Sequence, residues 1–349
     1  MVSRHVFASL SILLTFLVMT SGCEQKLSDD YSVSSIKLVS ESSIDVASVG
    51  RFSIPCNDLG SGFGDCFWRY KFDRLQCSPN CDKLVIFFGG GGMTCDRVDY
   101  PTDNILDHYS EAGYIAVCAD LFKSALFAET YPFVDEAGRV DVLIKNITSF
   151  FIANELWTGK HLLFSGVSHG ATAPVIAMAR TPLDNQDYWH GSVATGACFY
   201  DGIYDVDAQV DFIIENRCDS VFDMLSYNHY FRRYCFPSPP PGFPEICSSF
   251  YEASILDNLI TPSVMPRVFY LKDWKLISCG SGATKPCSYD LVPRVSTEGL
   301  CNIIDFGAGS CEFEDLPYSQ GYDHFNCAIE RIDLCQDWFD NLAAAYQKL

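Results

Sequence analysis

The residues with the clearest chemical potential form the pentapeptide Gly166-Val167-Ser168-His169-Gly170, which matches the pattern G-x-S-x-G. This pattern is typical of a sharp turn between a strand and a helix, which presents the serine hydroxyl at the start of the helix. Both glycines are needed because a side chain at either position would collide with the neighbouring strand or helix. We therefore predict Ser168 as the nucleophile of an acyl-transfer reaction.

A run of four glycines, residues 89–92, follows an apolar stretch upstream of this serine. No Lys-Ser or Lys-Thr completes a phosphate-binding loop after it, and the dinucleotide-binding pattern is not satisfied either. Exposed N–H groups of such a run can stabilise an oxyanion together with the N–H of the residue after the nucleophile. We predict an oxyanion hole formed by Gly90, Gly91 and His169.

A serine nucleophile needs a general base, and the chain has seven histidines. His324 is favoured because it lies in a loop just before a predicted C-terminal helix, in the segment Gly321-Tyr322-Asp323-His324-Phe325. The alternative interpretation of His324 is a histidine of a surface loop. The other histidines fall in the leader, next to the serine, in predicted helices or strands, or in a later insertion.

The acid that orients this histidine is expected between Ser168 and His324 in the chain. Asp273 is favoured because it follows the apolar run 268–271, a predicted buried strand, and α/β proteins bind ligands at the carboxyl ends of strands. Asp305 follows a shorter apolar pair and is the alternative. Asp323 is too constrained by its neighbour His324 to reach the ring easily.

The elements that must position these residues are visible as apolar runs. Continuous apolar runs of four to eight residues indicate strands that are buried on both faces. Such strands are predicted at residues 84–88, 114–118, 161–164, 192–199 and 267–271, and helices at residues 140–157, 169–180 and 327–349. Strands that alternate with helices predict an α/β fold, with a mostly parallel central sheet and helices on both faces.

The N-terminal segment predicts the compartment. Residues 6–19 are mostly apolar and follow Arg4, a run too short to cross a bilayer but typical of a signal peptide. We expect a signal peptide over residues 1–22, a tether over 23–50 and the main domain over 51–349, with no transmembrane helix after the signal. Ser21-Gly22-Cys23 leaves two alternatives open, ordinary cleavage with secretion or a lipoprotein anchored through Cys23.

Composition excludes several function classes. The formal net charge is -20, with 24 Lys+Arg against 44 Asp+Glu, which argues against nucleic acid and anionic membranes as partners. Seventeen cysteines in an exported chain indicate disulfides, whereas the absence of any C-x-x-C spacing argues against structural zinc. We expect neither a metal nor an organic cofactor.

One segment interrupts the alternation of strands and helices. Residues 218–250 are rich in aromatic residues and prolines, with Cys218 at the start and Cys247 near the end. We consider two interpretations, a disulfide-stapled lid over the site or a stapled surface loop without contact to it.

Three features together resemble the pectin acetylesterase/Notum family: the strand into residues 89–92 with Cys95 after it, the Gly166–Gly170 turn, and the late Asp and His. The resemblance implies an α/β-hydrolase fold and a secreted, cysteine-rich carboxylesterase. The sequence departs from the family at Met93-Thr94 and at Ser168-His169-Gly170-Ala171, which affects the expected substrate more than the reaction class.

The leading hypothesis is an exported serine carboxylesterase that acts on a small or polymer-borne ester, with an acyl group that could be acetyl. A catalytically silent hydrolase fold that binds polysaccharide or lipid is the alternative from another class. A peptidase or thioesterase would use the same three side chains.

Overall fold

The computed structural model describes residues 49–54, 66–77, 80–90, 93, 95, 102–120, 133–180, 192, 194–205, 208, 212, 271–283, 292–306, 309–324 and 326–348. The predicted signal peptide, Cys23, most of the predicted tether and the candidate lid at 218–250 lie outside these residues.

Eight strands form one sheet. Their bounds are β1 Val49–Ile54, β2 Cys66–Lys71, β3 Cys81–Phe88, β4 Tyr114–Asp120, β5 Trp157–Val167, β6 Ala194–Tyr200, β7 Asp273–Cys279 and β8 Ser310–Leu316. The strand order is β1-β2-β4-β3-β5-β6-β7-β8. The first two strands pair antiparallel with their neighbours, and all pairings from β4 to β8 are parallel.

Six helices connect or flank the described strands. They are α1 Thr102–Glu111, α2 Phe133–Ala153, α3 His169–Arg180, α4 Arg294–Phe306, α5 Cys327–Glu330 and α6 Ile332–Tyr346, and a 3-10 turn spans Tyr318–Gln320. None of the helices in the described part of the chain combines the length and the apolar character that a membrane crossing requires.

Two apolar layers cover the two faces of the sheet. On one face, α2, α3 and α4 pack on strand residues such as Leu84, Ile86 and Phe164. On the other face, α1, α5 and α6 pack on the alternate strand residues, among them Val85 and Leu163. Successive side chains of a strand point to opposite faces, so strands buried on both sides must be apolar without interruption. The predicted α/β architecture is confirmed.

Several boundaries differ from the predictions; α2, for example, spans Phe133–Ala153 where a helix over 140–157 was predicted. The run 268–270 lies outside the described residues, and β7 begins only at Asp273, after the prediction had ended its strand at Leu271. The predicted helix 327–349 is interrupted at Arg331, which separates α5 from α6. The antiparallel strands β1 and β2 and the edge strand β8 were not predicted, because short, mixed-polarity strands lack a continuous apolar run.

Five disulfides join described cysteines, which confirms the expectation of disulfide bonds. The pairs are Cys77–Cys81, Cys95–Cys118, Cys198–Cys335, Cys279–Cys327 and Cys301–Cys311. Three of them each join one strand to one helix: Cys198–Cys335 joins β6 to α6, Cys279–Cys327 joins β7 to α5, and Cys301–Cys311 joins β8 to α4.

Candidate active site

Ser168 occupies the single residue between the end of β5 and the start of α3. Its φ is 56°, in the left-handed region that a residue with a side chain rarely adopts. The Ser168 N–H donates to the carbonyl of Tyr200 at 2.9 Å, and the Ser168 carbonyl accepts from the N–H of Ala171 at 2.9 Å. These bonds hold a strained turn in place, and strain of this kind is concentrated at functional sites.

The two glycines of the pentapeptide are enforced by backbone contacts. A Cβ on Gly166 would lie 2.3 Å from the carbonyl oxygen of Gly170, and a Cβ on Gly170 would lie 2.2 Å from the carbonyl oxygen of Phe88. Backbone atoms cannot step aside as the end of a flexible side chain can. The steric argument from the sequence is therefore confirmed, and the collisions involve β3 as well as α3.

The start of the glycine run passes directly against this turn. A Cβ on Gly90 would lie 2.9 Å from the carbonyl oxygen of Val167 and 3.2 Å from the Cβ of Ser168. His169 is the first residue of α3. The predicted oxyanion residues Gly90 and His169 are thus brought to Ser168, while Gly91 lies outside the described residues.

The carboxylate next to His324 belongs to Asp201. Asp201 Oδ2 lies 2.5 Å from His324 Nδ1, and Oδ1 accepts the backbone N–H of Cys279 at 3.1 Å. Asp201 follows the last residue of β6 and has a left-handed φ of 52°. Its own N–H donates to the carbonyl of Ile277 at 2.7 Å, so the next strand fixes both its backbone and its side chain.

Burial sets the electrostatics of this pair. Asp201 has no exposed surface, and His324 is 6% exposed. Burial raises the pKa of the Asp201 carboxyl, while the hydrogen bonds from His324 and from the Cys279 N–H act against that rise. A buried carboxylate bonded to Nδ1 fixes the orientation and the tautomer of the imidazole.

The turn of Ser168 and the turn of Asp201 are joined to each other. Ser168 follows β5 and Asp201 follows β6, and these two strands are parallel neighbours in the sheet. The hydroxyl of Thr172 donates to the carbonyl of Ser168 at 3.2 Å and accepts the N–H of Ile203 at 2.9 Å. Thr172 is fully buried. The nucleophile candidate and the acid–base pair therefore lie at the same carboxyl edge of the sheet.

The structure does not bring Asp273, the predicted acid, to His324. Asp273 is the first residue of β7, whereas the pair of Asp201 and His324 lies beside Cys279, the last residue of that strand. Cys279 lies six residue steps along the extended strand from Asp273, roughly 20 Å. Asp273 Oδ2 instead accepts the hydroxyl of Tyr346 at 2.8 Å, at the amino edge of the sheet.

The alternative acid is also on the wrong edge. Asp305 lies near the end of α4, and its Oδ1 accepts the backbone N–H of Cys311 at 2.7 Å, at the start of β8. Its carboxylate closes the connection between the helix and the strand. Neither predicted acid lies near His324.

A usable sequence signal for Asp201 did exist. Asp201 stands two residues after the end of the predicted strand 192–199, which is the position that the rule on strand ends favours. Asp273 was chosen by the same rule, but Asp273 is the first residue of β7 and not a residue after a strand end. The rule was sound, and the strand boundary caused the error.

His324 stands in a loop that is held by its own short-range bonds. Asp323 Oδ1 accepts the N–H of Asn326 at 2.9 Å, and Asn326 Oδ1 accepts the N–H of Asp323 at 2.8 Å. The Asn326 amide also donates to the carbonyl of Gly321 at 3.1 Å, and Gly321 has a φ of 93°. We call this reciprocal pair of Asp323 and Asn326 the clasp.

Within the described ranges, no group of three or more His, Cys, Asp or Glu side chains is arranged to hold a metal ion. The chemistry that this edge offers is that of a hydroxyl at a strained turn, a buried imidazole–carboxylate pair and a glycine loop. This combination suits nucleophilic acyl transfer.

Comparisons by sequence find no matching family model and no matching curated protein. Solved structures do match in shape. The acylaminoacyl peptidase of Pyrococcus horikoshii gives a TM-score of 0.55 at 12% identity, over 84% of this chain and 41% of the peptidase. The chain thus spans about two fifths of that protein's length.

Two shorter proteins match along most of their length. A lipase/esterase from Lactobacillus plantarum gives a TM-score of 0.53 at 12% identity, over 84% of this chain and 97% of the other. Esterase B from Lactobacillus rhamnosis (HN001) gives 0.52 at 11% identity, over 86% and 88%. Identities this low establish the fold alone. Together with the mostly parallel eight-stranded sheet, they show that the chain has the α/β-hydrolase fold.

Proposed function

We propose that the protein is a serine hydrolase in which Ser168, His324 and Asp201 form the catalytic triad. The observation that carries the proposal is the buried bond of Asp201 to His324 Nδ1, at the sheet edge where Ser168 occupies a strained turn. A strained serine could by itself have a purely structural cause, and so could a buried pair of an aspartate and a histidine. Their presence on adjacent strand ends supports a shared catalytic role.

In the proposed reaction the Ser168 hydroxyl attacks the acyl carbonyl, and its proton passes to His324. Asp201 stabilises the imidazolium that forms, because its carboxylate is already bonded to Nδ1. The negative charge on the carbonyl oxygen is stabilised by the backbone N–H groups of His169 and of the loop at Gly90 and Gly91. His324 then returns the proton to the leaving group, and water attacks the acyl-enzyme with the same residue as base.

We further propose a carboxylic ester as the substrate class, in line with the resemblance to the pectin acetylesterase/Notum family. Esterases and peptidases share this fold and this triad, so the leaving group decides between them. Whether the acyl group is acetyl is best tested with p-nitrophenyl esters of increasing chain length, alongside a matched anilide. Faster cleavage of the anilide than of every ester would assign a peptidase instead.

The decisive experiment is labelling with a fluorophosphonate probe, which reacts with activated serines. The wild-type chain should be labelled, and Ser168→Ala should not be. Asp273→Asn is a matched control, because it changes a carboxylate of the opposite sheet edge and should label at the wild-type rate. A folded wild-type protein that is not labelled would favour the alternative of a silent binding module.

Export is part of the proposal and rests on the cysteines. Five disulfides among the described residues favour an oxidising compartment, since cytosolic thiols are kept reduced. Mass spectrometry of the mature N-terminus separates the two routes of export: a diacylated Cys23 indicates a membrane-anchored lipoprotein, and an unmodified terminus near residue 23 indicates free secretion. An intact Met1 on the purified protein would contradict export by either route.

A further inference from the structure

The disulfide between Cys279 and Cys327 is connected to both members of the acid–base pair of Asp201 and His324. Cys279 donates its backbone N–H to Asp201 Oδ1, and Asp201 Oδ2 bonds His324 Nδ1. Cys327 lies three residues after His324 and is joined to Cys279 through sulfur. Both halves of the acid–base pair are therefore connected to the same disulfide, one by a hydrogen bond and one by a short length of chain.

The base needs such a connection more than the other two side chains do. Ser168 and Asp201 each follow directly on a central strand, and their backbones are bonded to residues of neighbouring strands. His324 stands instead in a loop between a 3-10 turn and the four-residue helix α5. Catalytic side chains on loops are held less accurately than those on strands unless a second layer of contacts fixes them.

Two devices supply that second layer at His324. The clasp of Asp323 and Asn326 closes the backbone on either side of the histidine. The disulfide then fixes the end of this loop to the last residue of β7, and both of its cysteines are fully buried. The clasp sets the shape of the loop, and the disulfide sets its position on the sheet.

We propose that the Cys279–Cys327 disulfide and the Asp323–Asn326 clasp are positioning elements that hold His324 against Asp201 for catalysis. This inference rests on the proposed triad. It assigns to the disulfide a role in turnover beyond the stability that any disulfide provides. A disulfide elsewhere in the fold should not share that role.

The matched control is the disulfide of Cys301 and Cys311, which joins α4 to the second residue of β8 at the amino edge. The double variant Cys279→Ala/Cys327→Ala should lower kcat by about 100-fold with KM little changed, since a misplacement of about 1 Å costs that much. The double variant Cys301→Ala/Cys311→Ala should lose thermal stability and keep the wild-type kcat. Equal kcat values in the two double variants, at a temperature where both are folded, would overturn the proposal.

A readout that does not depend on turnover keeps this test separate from the proposed function. The proton of the bond from His324 Nδ1 to Asp201 gives a far-downfield NMR signal, which His324→Gln identifies by removing it. The signal should be lost in Cys279→Ala/Cys327→Ala and kept in the control double variant. If the wild type shows the signal but no esterase activity and no probe labelling, the proposed function fails while the positioning role is still decided by the signal.

The clasp provides a second variant in case the site disulfide proves necessary for folding. Asp323→Ala removes the acceptor for the Asn326 N–H, whereas Asp323→Asn keeps an oxygen at the same place. Asp323→Ala should lower kcat by about tenfold or more and weaken the downfield signal, and Asp323→Asn should restore both. A wild-type kcat and signal in Asp323→Ala would contradict the proposal.

Discussion

The two edges of the sheet use the same residue types for different purposes. At the carboxyl edge, a buried aspartate bonds a histidine, and a serine occupies a strained turn at the end of the neighbouring strand. At the amino edge, Asp273 accepts the hydroxyl of Tyr346, and Nε2 of the buried His161 lies 3.1 Å from the side-chain nitrogen of Gln347. The amino-edge partners belong to the C-terminal end of the chain. The contacts at the amino edge hold the end of α6 against the sheet, whereas those at the carboxyl edge bring together the residues of the candidate active site.

Backbone strain follows the same division. Three non-glycine residues of the described part of the chain have a left-handed φ, and Ser168 and Asp201 are two of them. The third, Glu155, lies in an exposed turn after α2. The left-handed backbone at Ser168 and Asp201 costs free energy, and the hydrogen bonds to the neighbouring strands hold it in place. The comparison teaches that the position of an aspartate along its strand decides which side chain it meets: Asp201, after the carboxyl end of β6, meets His324, and Asp273, at the amino end of β7, meets Tyr346.

The largest expected effect comes from exchanging the acids of the two edges for amides. Asp201→Asn should lower kcat by roughly four orders of magnitude, because an amide at Nδ1 favours the wrong tautomer of His324. Asp273→Asn should change kcat less than twofold, since an amide oxygen can still accept the Tyr346 hydroxyl. Steady-state kinetics with a p-nitrophenyl ester measure both. A large loss in Asp273→Asn together with a small one in Asp201→Asn would reverse the assignment of the edges.

Most of the candidate site at the carboxyl edge could be predicted from the sequence, but the carboxylate that bonds His324 was not. Ser168 and its glycines could be predicted because they follow a local pattern of a strand, a tight turn and a helix, and His324 because it lies in a loop just before the last predicted helix. The prediction of the acid depends instead on knowing which residue is the last one of a strand. Because β7 begins at Asp273, the predicted carboxylate lies at the amino edge of the sheet instead of the carboxyl edge.

The amino edge was not foreseen at all, for a physical reason. Its contacts join residues that are far apart in sequence, such as Lys83 and Tyr114 with Asp340, at 2.8 and 2.6 Å between polar atoms. No local period or motif marks such pairs. The disulfide partners are equally invisible, since composition predicts that cysteines pair and only the fold decides with which.

A smaller effect is expected from adding one methyl group at a glycine of each edge. Gly170→Ala places its Cβ against backbone oxygens, so the turn of Ser168 must distort. We expect a loss of about 1–3 kcal/mol in the free energy of unfolding and a clear fall in kcat. Gly196→Ala is the control, because its Cβ meets the ring of Trp338 at 2.9 Å, a side chain that can shift. Denaturant unfolding measures the free energy of unfolding of each variant, and steady-state kinetics measures its kcat. An unchanged kcat in Gly170→Ala would contradict the steric explanation of the turn.

The smallest expected effect lies at the amino edge alone. Tyr346→Phe removes the hydroxyl that donates to Asp273 at 2.8 Å and should lower the free energy of unfolding by about 1 kcal/mol, the usual net contribution of one hydrogen bond. Its kcat should remain that of the wild type, because the Tyr346–Asp273 pair only fastens α6 to the sheet. Repeating the substitution in an Asp273→Ala background completes a double-mutant cycle, in which the effect of Tyr346→Phe should shrink if the two side chains interact. A tenfold fall in kcat with intact stability would instead connect the amino edge to catalysis and end the division between the two edges.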